Sequence, residues 1–98
     1  MNAATNDRAR RALGLGCMLV QTPGVSSLPQ EKQSTLREMV EKFDSFTEDN
    51  DPYKEHDFGK MTLDKTDYFW KIDDYGPDFR KEGATRPLVL TLMRADEY

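Results

Sequence analysis

Hydrophobic positions in this 98-residue chain fall into four blocks separated by polar stretches, two of them periodic and two continuous. The clearest is helical. Leu36, Met39, Val40 and Phe43 recur at i, i+3, i+4 and i+7, one apolar stripe, while Glu38 and Lys42 face outward as an i, i+4 pair. Ser27-Leu28-Pro29-Gln30 ahead of it has the form of a capping box with proline in the first turn. The polar run that leads to Pro52 predicts an end near Phe46. Cys17 to Thr22 is apolar on both faces, the pattern of a buried central strand, and Pro23-Gly24 breaks it. Tyr68, Trp70 and Ile72 alternate with Phe69, Lys71 and Asp73, so one face of that strand meets a core. With His56 to Leu63 it predicts a hairpin turning at Asp64-Lys65-Thr66. Leu88 to Met93, led by Pro87, is the most hydrophobic run and predicts a central strand.

Ahead of these blocks, Asn6 or Asp7 is placed to cap a short helix through about Leu13, with Gly14 or Gly16 ending it. The expected order is α-β-α-β-β-β: an α+β fold with a short N-terminal helix and one long amphipathic helix on a mostly antiparallel four-stranded sheet. Residues 1–98 form a single domain, with 1–5 expected as a frayed tail and 79–86 as a mobile charged loop.

Charge sharpens the picture. The net charge is −4. Residues 1–11 hold three arginines against Asp7, whereas 44–78 hold eleven acids against four lysines. Six of those acids, the only histidine and three phenylalanines fall within Phe43–Gly59. A surface of that bias repels nucleic acid and attracts basic proteins or cations. Phosphate contact is therefore not expected, even though Tyr68, Phe69 and Trp70 resemble a stacking platform. The lone Cys17 excludes an intrachain disulfide, and no segment approaches the roughly 20 apolar residues of a membrane span, which together predict a cytoplasmic protein.

Catalysis is not expected. Adjacent strand residues such as His56 and Asp57 point to opposite faces, Cys17 has an apolar setting, and Ser45, Thr47 and Tyr53 lack an activating partner. No cofactor motif is present. Three uses of the acidic stretch compete. If 49–57 is partly extended, Asp49, Asp51, Glu55 and Asp57 share one side at intervals of roughly 6.6 Å, a row that imitates a polyanion. Glu48, Asp64, Asp67, Asp73 and Asp74 widen that partner-binding patch. Alternatively Glu48, Asp51, His56 and Asp57 ligate a hard cation, although the order departs from an EF-hand loop. A structural reading has Thr47, Asp49 and Asn50 tie the loop to the sheet, with Pro52-Tyr53 as its anchor.

Four segments also carry a resemblance. Asp7-Arg8-x-Arg10-Arg11, the run Phe43-Asp44-x-Phe46-Thr47-Glu48-Asp49-Asn50-Asp51-Pro52-Tyr53-x-Glu55-His56-Asp57-Phe58-Gly59, Phe69-Trp70-Lys71-Ile72-Asp73 and Leu90-Thr91-Leu92-Met93-x-Ala95-x-Glu97-Tyr98 resemble a family of small bacterial domains of unknown function. The likeness spans nearly the whole chain. Where the family has Tyr-Tyr after the Trp-Lys-Ile-Asp run, this chain has Asp74-Tyr75. The resemblance implies no activity, and such domains are common on mobile elements. In size and charge the chain is similar in kind to phage or plasmid inhibitors of CRISPR and restriction systems. The resulting expectation is a non-enzymatic interaction module for a basic partner protein, such as a nucleic-acid-handling defence complex.

Overall fold

A computed structural model describes residues 3–13, 17–49, 51–52, 54–74 and 88–98, the side chain of Asp74 excepted. In chain order these form α1 (Ala3–Arg11), β1 (Met18–Gln21), α2 (Pro23–Ser26), α3 (Gln30–Glu41), β2 (Phe58–Leu63), β3 (Thr66–Asp74), β4 (Leu88–Arg94) and a 3-10 turn (Ala95–Glu97). The α+β class and the four strands agree with the hydrophobic pattern. The expected loop at 79–86 lies outside the described residues.

The sheet order is β1-β4-β3-β2. β2–β3 and β3–β4 are antiparallel, but β1 runs parallel to β4, so the sheet is mixed. β4 is central, as its hydrophobicity implies. β1 is not: it forms an edge, with Met18 46% and Val20 41% exposed. Its continuous apolar run therefore marks burial on one face only. The hairpin turns in two residues, Asp64 and Lys65, both at positive φ (52° and 66°), and Thr66 already belongs to β3. Two left-handed residues give the backbone twist that matches paired strands.

Leu36 and Val40 are fully buried, with Met39 and Phe43 packed against the same core, so the helical stripe is realised. They meet Met61, Tyr68, Trp70, Ile72, Leu90 and Leu92 on one sheet face. The Glu38–Lys42 pair forms at 2.7 Å on the exposed side. The helix boundaries differ from expectation. α3 starts behind Pro29 without a side-chain cap, so the Ser27 capping box is not formed, and Pro23 opens the short α2 instead of only breaking β1. α3 also stops at Glu41, before Phe46, where Arg10 of α1 takes up its last carbonyls. α1 begins at Ala3, ahead of the expected caps Asn6 and Asp7, and takes in residues 3–5 of the stretch read as a tail. Among the described residues no helix is long and apolar enough to cross a membrane.

Candidate functional site: an acidic loop fastened from within

Asn6 and Arg10 of α1 are fully buried, which two polar side chains tolerate only when bonded. Arg10 donates through Nη1 to the carbonyls of Val40 (2.8 Å) and Glu41 (3.1 Å), and through Nη2 to Asp7 Oδ1 (2.9 Å). Its guanidinium lies 5.6 Å from the centre of the Phe46 ring and 5.5 Å from that of Trp70. A cation at the C-terminus of α3 also complements the helix dipole. Asn6 Nδ2 donates to the Glu55 carbonyl at 2.7 Å. One face of α1 thus holds both the end of α3 and the far side of the acidic loop.

Asp7 extends the network. Its carboxylate meets His56 Nδ1 at 2.9 and 3.1 Å, which requires the proton on that nitrogen. Burial pushes the Asp7 carboxyl up, but hydrogen bonds from His56 and Arg10 outweigh it and hold the group below its ordinary range. The imidazole lies flat on Phe46, with centroids 3.8 Å apart and planes 1° from parallel. On the other side of the ring, Nε2 is 3.5 Å from Asp51 Oδ2.

Asp51 is the second fastening point and is only 7% exposed. Its Oδ1 accepts the backbone N–H groups of Glu55 (3.0 Å) and His56 (3.2 Å), while its own N–H donates to Thr47 O at 2.8 Å. Lys54 and His56 have φ of 54° and 53°, the left-handed region that non-glycine residues occupy only when surrounding bonds hold them there. His56 therefore precedes β2 and does not begin it.

The expected row of carboxylates is not formed. Asp51 turns inward onto backbone amides, and the left-handed residues remove the extended spacing that would have aligned it with Asp49, Glu55 and Asp57. Glu48 and Asp49 are exposed, as is Asp44, a carboxylate outside the expected patch. Glu55 and Asp57 are half-buried. Three acids of the hairpin are bonded within the chain: Asp64 with Lys32 at 2.9 Å, Asp67 with Thr62 at 2.7 Å and Lys60 at 3.6 Å, and Asp73 with Lys71 at 3.5 Å.

The cation reading brings together only part of its set. Asp51 and His56 meet, but the other carboxylate at the ring is Asp7, and the two acids face opposite nitrogens of one imidazole. They cannot converge on a common point. Among the described residues no group of three or more His, Cys, Asp or Glu side chains is placed to hold a metal ion. Cys17 is buried, its Sγ 3.4 Å from Ala9 O. In the structural reading the tie falls to Asp51 rather than Asp49, while Asn50 and Tyr53 lie outside the described residues. Asn6, Asp7 and Arg10 were missed as site residues because they read as a cap and a surface basic cluster. Arg10 follows Asp7 by three residues and Asn6 by four, the spacings that share a helical face, and that was the available signal.

A family model described as a protein of unknown function (DUF3768) matches residues 21–97, from the last residue of β1 to the closing 3-10 turn. Neither the curated proteins nor the solved structures compared with the chain gave a significant match.

Proposed function

The chain belongs to this family of unknown function, and for it we propose a non-enzymatic interaction module that presents carboxylates to a basic surface of a partner protein. One observation supports this reading above the others: the loop is fastened by Asp51, His56 and Asn6 while Asp44, Glu48 and Asp49 stay in solvent. Charges on a held loop lose little conformational entropy when a partner docks, so they contribute to binding more than the same charges on a tether. Glu55 and Asp57, half-buried, follow later in the same loop. Asp64, Asp67 and Asp73 already have internal partners and add to the field without offering free charges.

A nucleic-acid mimic would need acids at regular strand spacing, which the turns of this loop do not provide. The proposed partner is therefore a protein with a compact basic patch, such as a nucleic-acid-handling complex, met through a few charges. Affinity capture from cell lysate with the wild type and a Glu48→Lys/Asp49→Lys variant tests this. The partner is expected at low salt, and it is expected to be lost at about 0.5 M salt, where screening is nearly complete. It should also be lost on charge reversal, with an unchanged circular dichroism spectrum. Capture that ignores both changes overturns the proposal.

A further inference from the structure

Beside the acidic loop, between α3 and β2, runs an open groove of about 480 Å³. Its floor is apolar, made by Met39, Phe43 and Met61. β2 is an edge strand: β3 covers one of its sides, and among the described residues no strand covers the other. α3 runs alongside it, fixed by Lys32 to Asp64 at one end and by Phe43 against Gly59 at the other. An unpaired strand edge beside an apolar trough has two complementary requirements. The backbone edge asks for another strand, and the trough asks for side chains at every second position of that strand.

We propose that this groove binds an extended segment of a partner protein by strand addition to β2, with apolar side chains at alternate positions over Met39, Phe43 and Met61. The rim selects the charge of the segment. In the middle of the groove Lys42 is held by Glu38 and Lys60 approaches Asp67, so neither sign is favoured there. At the Gly59 end the wall passes to Asp44 and Ser45 and then into the loop bearing Glu48 and Asp49. A segment leaving the groove at that end meets the exposed carboxylates of Asp44, Glu48 and Asp49 and is therefore basic there. This part of the inference rests on the acidic-loop proposal, whereas strand addition does not.

The probe is a displayed library of random ten-residue peptides selected on the intact chain, with binders mapped by amide chemical shifts. Enriched peptides are expected to alternate apolar residues with period two, to carry Lys or Arg at one end, and to shift the amides of Phe58–Leu63. N-methylation of alternate peptide nitrogens and Met39→Glu should each weaken binding by about tenfold or more, the loss of one or two hydrogen bonds or of a side-chain contact. Asp44→Lys/Glu48→Lys should weaken only peptides with the basic end. Enriched peptides without the period, or binding that leaves β2 unshifted, overturns strand addition and leaves the acidic-loop reading to its own salt test. Period-two binding on β2 that is indifferent to the basic end and to charge reversal supports strand addition and overturns the charge selection.

Discussion

Arg10→Met is the most revealing single change, because it removes a charge and keeps most of the aliphatic stem. Arg10 is fully buried and joins Asp7, the end of α3 and the faces of Phe46 and Trp70. Val40 O still accepts from the Phe43 amide after the change, but Glu41 O loses the bond from Arg10. An unsatisfied buried carbonyl costs about 1–3 kcal/mol, and the low end applies to this partly buried one. Breaking a buried ion pair on one side costs about 3–5 kcal/mol, and the low end applies here because Asp7 is a fifth exposed and keeps His56. The two low ends together give a loss of about 4 kcal/mol, against a total stability of about 5–15 kcal/mol for a domain of this size. At about 4–8 °C per kcal/mol the melting temperature falls by about 16 °C or more. Urea unfolding followed by Trp70 fluorescence measures the loss. Adding Asp7→Asn should recover part of it, since the orphaned charge is then gone, with a coupling of about 1 kcal/mol or more. A loss below about 1 kcal/mol, or strict additivity with Asp7→Asn, would refute the reasoning.

Three further outcomes follow from the same contacts. Asp51→Ala removes the acceptor of two amides and should cost about 1–3 kcal/mol, whereas Asp49→Ala, at an exposed position, should stay within about 0.5 kcal/mol by the same urea titration. Gly59→Ala places a Cβ against Nε1 of the fully buried Trp70 and 2.8 Å from Cζ of the half-buried Phe43, which packs edge-on against Trp70, so unfolding should show a cost of about 1–3 kcal/mol. Asp7, held below its ordinary 3.8, contributes stability that is fully present above that value and is lost as pH falls through the lower folded value. The gap in melting temperature between wild type and Asp7→Asn should therefore be widest near neutrality and narrow below about pH 4; a gap constant from pH 7 to pH 3 would refute it.

The elements that the sequence made legible are those whose pattern reports burial directly. The stripe from Leu36 to Phe43 and the alternation from Tyr68 to Asp73 translate into faces without further information. The edge position of β1 was hidden because Cys17 to Thr22 is apolar at both parities, and only pairing partners decide between edge and centre. The end of α3 was hidden for a related reason: Arg10, 31 residues before Glu41 in sequence, closes the helix. In the loop, composition showed the acids but not their directions. Asp51 and Asp49 are chemically identical and two residues apart, yet one binds amides inside and the other faces water. That difference comes from the left-handed turns at Lys54 and His56 and from Asp7 and Asn6 on a distant helix, contacts that no local period encodes.

Amide hydrogen exchange of Asp51, Lys54, Glu55 and His56 tests most directly whether the acidic segment is a held display. Each of these amides has an acceptor within the segment. Protection of at least about 100-fold over an unstructured peptide is predicted for all four, falling together in Asp51→Ala. Exchange at the rate of a free peptide in the wild type would contradict the account, because the carboxylates of Glu48 and Asp49 would then ride on a tether.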